Sequence, residues 1–227
     1  MQFKRYGIYY TPEPGALTAF GAAWLGWDLD TGTAVAHPNV MGLPLTVSDI
    51  TATPRKYGLH GTIKPPFFLA DGTDATGLNA ALATFCAAQR QVSMKGLVLA
   101  RLGGFLALKI DGDQTPLANV ASACVRELDA FRAPPSEAEL ARRRKAGLSE
   151  VQEALLMHWG YPYVMEEFRF HITLSGRLGE HADATRVALE PHVVPHLPRP
   201  FVVSGLTLVG EDEAGMFHTI QRHTFSA

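Results

Sequence analysis

The stretch that decides the reading is Phe168-Arg169-Phe170-His171-Ile172-Thr173-Leu174-Ser175, and a shorter counterpart precedes it at Leu59-His60-Gly61-Thr62-Ile63-Lys64. Side chains alternate across a β-strand with period two, so Arg169, His171, Thr173 and Ser175 fall on one face. Phe168, Phe170, Ile172 and Leu174 fall on the other and need a core to pack into. In the earlier stretch His60, Thr62 and Lys64 share a face opposite Leu59 and Ile63. Each strand therefore carries an imidazole and, two residues on, a hydroxyl, both on the side that does not pack.

Working outward, the two strands, near 57–64 and 168–175, sit in matching surroundings. Tyr6 to Tyr10 is β-prone, and a helix with Leu17, Phe20 and Trp24 on one side follows. Residues 28–52, rich in Gly, Pro, Thr and Asp, read as a long connection. The strand Tyr57 to Lys64 is expected to stop at Pro65-Pro66, because proline has no donor for a ladder. A helix bearing Leu78, Leu82 and Phe85 comes next, then a hairpin of Leu97–Leu102 and Phe105–Ile110 turning at Gly103-Gly104. Thr115 is the expected N-cap of a further helix with Pro116 at its first position. Ser136/Glu139 and Ser149/Gln152 have capping-box spacing and predict two short helices, with Gly147 as a stop between them. After the second His-x-Thr strand come a helix over 182–190 and two strands, Phe201–Val209 and Phe217–Phe225.

Each half thus reads as His-x-Thr strand, helix, two strands, and the two histidines stand 111 residues apart (60 to 171) in a chain of 227. The expected fold class is α+β: one domain over residues 1–227, made of two pseudo-symmetric lobes whose antiparallel sheets flank a central cleft.

Composition narrows the functional classes. The chain is 47% hydrophobic and 19% charged, a balance able to bury a sizeable core, and its net charge is −2. A general basic surface for nucleic acid is absent, so no stable nucleic-acid partner is expected. Cys86 and Cys124 lie in apolar, helix-like stretches and read as buried thiols of a reducing cytoplasm. No apolar run reaches the ~18 residues of a membrane span, and Met1 to Thr11 lacks a signal peptide's apolar core. His181, His192 and His196 have no coherent ligand spacing, and neither metal nor cofactor is expected. His218 and His223 belong on opposite faces of the last strand. Arg142-Arg143-Arg144-Lys145 at a helix end reads first as a solvated face favoured by the helix dipole, with a phosphate or RNA contact as the second reading.

Two imidazoles and two hydroxyls around one anionic group suit cleavage of a cyclic phosphodiester. An imidazole titrates near neutrality, so one histidine can activate water while the other protonates the leaving oxygen. The hydroxyls of Thr62 and Thr173 can hydrogen-bond phosphoryl oxygens, and Lys64 or Arg169 could neutralise charge. Ser175, on the active face, together with Tyr57 and Arg55 just before the first strand, completes the candidate substrate-binding set.

The segments Arg55-Lys56-Tyr57-Gly58-Leu59-His60-Gly61-Thr62-Ile63-Lys64-Pro65-Pro66-Phe67 and Phe168-Arg169-Phe170-His171-Ile172-Thr173-Leu174 resemble the signature strands of the 2H phosphoesterase superfamily. Trp24-Leu25-Gly26, Phe131-Arg132-Ala133-Pro134-Pro135 and Trp159-Gly160-Tyr161-Pro162-Tyr163 resemble a subfamily associated with phosphonate-degradation operons. The resemblance spans nearly the whole chain. It implies a two-lobed α+β fold, cofactor-free phosphodiester chemistry, and catalytic roles for His60, Thr62, His171 and Thr173. It also implies a small phosphorylated substrate, such as a ribose-derived cyclic phosphate from phosphonate breakdown. Two other readings stand beside it: a 2′,3′-cyclic phosphodiesterase or ligase acting on RNA ends, and a non-catalytic phosphate-ester-binding accessory protein. The sequence leaves the oligomeric state open.

Overall fold

The structure, a computed structural model, describes residues 2–145 and 147–226. In chain order its elements are β1 (Arg5–Tyr10), α1 (Ala16–Leu25), the short hairpin β2 (Trp27–Asp28) and β3 (Thr33–Ala34), and α2 (Val47–Thr51). Then come β4 (Gly61–Phe67), α3 (Ala75–Ala88), β5 (Val92–Met94), β6 (Leu97–Leu102), β7 (Phe105–Ile110) and α4 (Thr115–Glu127). The remainder is α5 (Glu137–Arg144), α6 (Glu150–Trp159), β8 (His171–Thr173), α7 (Ala182–Val193), β9 (Phe201–Val203), β10 (Gly205–Glu211) and β11 (Phe217–Thr224).

Local chemistry sets several boundaries. Asp74 accepts a hydrogen bond from the Gly77 amide and starts α3, Ser136 does the same for α5, and Ser149 with Gln152 closes a full capping box on α6. Gly26 and Gly160 stop α1 and α6 in the left-handed conformation. In α4 the cap is Gln114, one residue earlier than expected, and Thr115 already lies inside the helix. The connection over 28–52 is less irregular than its composition suggests. It holds the β2–β3 hairpin, whose turn is tied by the Asp28 carboxylate to the Asp30 and Thr31 amides, and it holds α2.

One antiparallel sheet runs in the order β11-β10-β1-β4-β8-β7-β6, with helices packed against it. The fold is α+β with antiparallel pairing, as expected. The sheet has two arms, β11-β10-β1-β4 and β8-β7-β6, which join where the two His-x-Thr strands meet. That junction is narrow, a single pair between Gly61 and Ile172, the middle residues of the two motifs. A second small ladder repeats the relation, because Val92 of β5 pairs with Val203 of β9, each 32 residues beyond its histidine (60 to 92, 171 to 203). Equivalent residues of the two halves thus meet each other twice, the pattern that a pseudo-two-fold axis produces.

The halves are also intertwined. The hairpin β6–β7, which follows His60 in sequence, pairs with β8, the strand of His171. The hairpin β10–β11, which follows His171, joins the arm of β4 through β1. Helix α3 packs on β10 and β11, and α7 on β6 and β7. Each arm is therefore completed by the other half of the chain.

Strand boundaries differ from expectation at several points: the strand expected over Phe201–Val209 is two, β9 and β10, which join different ladders, β5 was not expected, and the two His-x-Thr strands differ as well. β4 begins at Gly61 and continues through Pro65-Pro66 to Phe67. The prolines are tolerated because the β4–β1 ladder shifts register between Ile8 and Tyr9 and again between Tyr6 and Ile8, and because β8 accompanies β4 only at Gly61. Conversely β8 is only three residues long. Over Phe168–Phe170 a side-chain amide replaces a strand partner: Gln114 Nε2 donates to the Phe168 carbonyl and the Phe170 amide donates to Gln114 Oε1, each at 3.0 Å.

The main core lies between sheet and helices and contains Ile8, Ile63, Phe170, Ile172, Leu108 and Leu206. Trp24, fully buried, donates from Nε1 to the Leu174 carbonyl at 2.7 Å and pins α1 beside β8. Cys86 and Cys124 are buried free thiols, and burial pushes both pKa values up, that of Cys86 to about 11. Among the described residues no helix is long and apolar enough to cross a membrane.

Candidate active site

At the junction of the two arms lies a cavity of about 330 Å³ whose walls include His60, Thr62, Thr173, Tyr9, Tyr57 and Phe105. His60 reaches it from the turn before β4. Gly58, at φ +62, adopts the left-handed conformation that turn requires, and its carbonyl accepts a hydrogen bond from His60 Nδ1 at 3.0 Å. His171 repeats the device. Its Nδ1 donates to the carbonyl of Arg169, also two residues back, at 2.8 Å. A carbonyl can only accept, so both rings carry their proton on Nδ1 when neutral and turn a free Nε2 lone pair outward. At His60 that lone pair takes a hydrogen bond from the Thr62 hydroxyl at 3.2 Å.

The environment sets the charge on His60. Tyr9, itself buried, stacks on its ring at 3.9 Å between centroids and 22° between planes, and Tyr57 lies 5.8 Å away. Burial lowers the pKa of His60 to about 4, against the Gly58 hydrogen bond, which raises it; the nearby His171 lowers it further. His60 is thus neutral over the ordinary pH range. Desolvation holds the Tyr9 hydroxyl protonated. His171 flanks the cavity and is not one of its walls: its ring packs 5.8 Å from that of Phe105, and Thr173, two residues on along the same face of β8, lines the cavity.

The structure brings together His60, Thr62, Thr173, Tyr57 and Ser175 around one cavity, with His171 beside it. Ser175 is buried, accepts from the Leu106 amide and donates to the Gly176 carbonyl, so its hydroxyl holds β7 against the end of β8. Three expected substrate-binding residues lie elsewhere. The register shift in β4 turns Lys64 to the opposite face, where it is 2% exposed and bonds the Val125 carbonyl at 3.0 Å and Asp129 at 3.1 Å. Arg169 precedes the short strand β8, so the alternation does not extend to it, and its guanidinium folds back on the carbonyls of Glu166 and Phe168. Arg55 belongs to a 3₁₀ turn, where it donates to the carbonyls of Leu25 and Ser48 and ties α1 to α2.

Several wall residues escaped the sequence reading, namely Tyr9, Phe105, Thr53 and Arg177, while Tyr161, which the sequence left between lining the cleft and packing, and Arg143 of the basic run are also walls. They come from separate segments of the chain, and only the pairing of the arms assembles them. Tyr9 lies in a stretch that reads as β-prone, but nothing local says that this strand pairs with that of His60. His181, His192 and His196 stay away from this cavity. His218 and His223, expected on opposite faces of the last strand, fall on the same face, because a register shift in the β10–β11 ladder between them leaves His218 opposite Gly210 and His223 opposite Leu206; they bond Asp212 and Asn79. Among the described residues no group of three His, Cys, Asp or Glu is placed to hold a metal ion.

Residues 62–218 match the family model described as "Protein of unknown function (DUF1045)". The chain is 38% identical over 231 residues to a protein of Janthinobacterium sp. (strain Marseille) named ribose 1,5-bisphosphate phosphokinase PhnN; the alignment covers 98% of this chain and 51% of that one. A protein of the same name from Laribacter hongkongensis (strain HLHK9) is 37% identical over 215 residues, with 93% and 49% covered. The chain therefore spans about half the length of these curated relatives. Among solved structures it is similar to E. coli LigT complexed with 3′-AMP, at 14% identity and a TM-score of 0.46 over 100% of both chains. It is also similar to TT0787 of Thermus thermophilus, at 13% identity and a TM-score of 0.44 over 97% of both.

Proposed function

The chain belongs to the DUF1045 family of proteins of unknown function, and we propose that it is a phosphoesterase of the 2H type that opens a small cyclic phosphodiester by two-histidine acid–base catalysis. The observation that carries this reading is the matched anchoring of His60 and His171. Each imidazole is fixed through Nδ1 to the carbonyl two residues back, which leaves Nε2 as its reactive nitrogen, and each is followed two residues on by a threonine at one junction of two strands.

The reaction follows from these groups. His60, held neutral by burial, takes a proton from water as the water oxygen bonds to phosphorus. His171, in its protonated form, gives its Nε2 proton to the ester oxygen as the opposite P–O bond breaks. The products are a phosphomonoester and a free hydroxyl, and the two imidazoles have exchanged protonation states. Thr62 and Thr173 donate to the phosphoryl oxygens, where negative charge builds in the transition state. An anionic phosphate beside His60 also raises its pKa on binding, which makes it a stronger base at the moment it is needed. The chemistry needs no metal ion.

The names of the relatives support a phosphorylated ribose as substrate. Those proteins are twice as long, and their name refers to ribose 1,5-bisphosphate. A ribose 5-phosphate carrying a cyclic phosphate across its 1- and 2-oxygens would give that compound if the bond to the 2-oxygen broke. In this reading His171 protonates the 2-oxygen. The test is turnover of a panel of cyclic phosphates, including nucleoside 2′,3′-cyclic phosphates, with a chelator present. Opening of the ribose 5-phosphate derivative in preference to the nucleotides supports the reading; preference for the nucleotides moves the function to RNA ends.

A further inference from the structure

Arg142-Arg143-Arg144-Lys145 has the look of a solvated basic run, and most of it conforms. Arg142 is 60% exposed beside Glu139, Arg144 pairs with Glu153 at 2.6 Å, and Lys145 is exposed. Arg143 departs from this. Its guanidinium carbon lies 4.5 Å from the centre of the Tyr161 ring, and its side chain lines the same cavity as His60, Thr62 and Thr173. Its Nε is buried with no hydrogen-bond partner among the described residues. The nearest acceptor of opposite charge, a Glu139 oxygen, stands 3.9 Å from Nη2, at the limit of an ion pair.

A guanidinium is a planar fork of five donors, suited to gripping two oxygens of one phosphate. A buried donor without an acceptor is costly to keep unless a ligand supplies one. Tyr161 adds a second donor, because burial keeps its hydroxyl protonated even though the nearby Arg143 favours the ionised form. Arg143 and Tyr161 also border Pro65 and Pro66, three and four residues beyond Thr62 on β4. They thus line the cleft as far as its Pro65–Pro66 end. Both also line a neighbouring recess that His60, Thr62 and Thr173 do not, which offers an anion a place apart from the group that reacts.

We propose that Arg143 and Tyr161 form a specificity site for a second, terminal phosphate on the substrate, remote from the bond that is broken. This rests on the two-histidine reading of the cavity and adds to it the residues that would hold the phosphomonoester of a substrate that also carries the cyclic phosphodiester.

The experiment compares the wild type with Arg143→Gln, Arg143→Lys and, as a control from the same run, Arg142→Gln. Two pentose 1,2-cyclic phosphates serve as substrates, one with a 5-phosphate and one without. Arg143→Gln is expected to lose about 10–100-fold in kcat/KM on the 5-phosphorylated substrate, mostly through KM, the range expected for charge-assisted hydrogen bonds. It should stay within about 2-fold of wild type on the other, Arg143→Lys should recover part of the loss, and Arg142→Gln should behave as wild type. A calorimetric titration with ribose 5-phosphate gives a second readout without turnover, with at least about 10-fold weaker binding expected for Arg143→Gln. Equal losses on both substrates, or unchanged ribose 5-phosphate binding, would overturn the proposal. If no variant, wild type included, opens a cyclic phosphate, the two-histidine reading fails, and the titration still decides whether Arg143 holds a phosphate.

Discussion

His60 and His171 are two copies of one local design placed in unequal surroundings. Both are anchored through Nδ1 to a carbonyl two residues back, but only His60 is roofed by Tyr9 and Tyr57. The proposed division of labour follows from that difference, with His60 as base and His171 as acid. Replacing either histidine by alanine should lower kcat on the best cyclic phosphate by on the order of 10²–10⁴. The double variant should lose less than the product of the two single losses, because the groups act as a unit. The pH profile separates the roles. A base must be deprotonated to act, so the acidic limb of kcat/KM, which reports the free enzyme, should appear only as pH drops through about 4, the lowered pKa of His60. The acidic limb of kcat should lie higher, since bound phosphate stabilises the imidazolium. Tyr9→Leu, which removes the stacked ring and lets water reach His60, should move the kcat/KM limb upward; a limb that stays in place would mean that burial under Tyr9 is not what holds His60 neutral. Simple titration near neutrality, the expectation from residue type alone, misses this shift because the roof over His60 comes from other segments.

At the scale of elements, the register shift in β4 explains why the alternation that correctly grouped His60 with Thr62 failed for Lys64. An extra residue in one strand of a ladder reverses the faces beyond it. Lys64 is thereby placed under the sheet with Asp129, which Arg132 also grips at 2.8 Å. Lys64→Met should leave KM for the cyclic phosphate within about 2-fold, since the side chain is not in the cleft, and Asp129 keeps Arg132. Asp129→Ala should cost more stability, about 3–5 kcal/mol, because it strands a buried ammonium. Thermal unfolding and steady-state kinetics on the two variants check both statements. Gly61 marks the junction itself, where an added Cβ would stand 2.3 Å from the Phe170 ring. Gly61→Ala should destabilise by about 1–3 kcal/mol through overpacking, and Phe170→Leu in the same chain should return part of that loss. The hairpin β6–β7 and the capped helices α5 and α6 were legible because turn and cap signals are local. The ends of β4 and β8 were not, because a ladder shift and the Gln114 amide, 54 residues from Phe168, set them.

Across the whole molecule, the duplicated order of elements was readable in the sequence, whereas the exchange of hairpins between the halves was not. Nothing within either half says that β6–β7 completes the strand of the other histidine. That exchange brings the two motifs side by side at Gly61 and Ile172, and it gathers the cavity walls from both arms. Arg143 was hidden for a related reason: in sequence it is one cation among four, and only the packing of α5 and the Tyr161 segment over the end of β4 sets it apart. The proposed sugar-phosphate substrate draws on the half-length alignment to proteins named for ribose 1,5-bisphosphate, and in that proposal the cleft residues act as acid, base and anion donors in opening a cyclic ester. The most direct measurement is ³¹P NMR of ribose 5-phosphate 1,2-cyclic phosphate incubated with the wild type and with His60→Ala and His171→Ala, all with a chelator present. The account predicts that the cyclic phosphodiester signal is replaced by a phosphomonoester signal with the wild type, and persists over the same period with either variant. Retention of the cyclic signal with the wild type, or its loss at an undiminished rate with either variant, would contradict it.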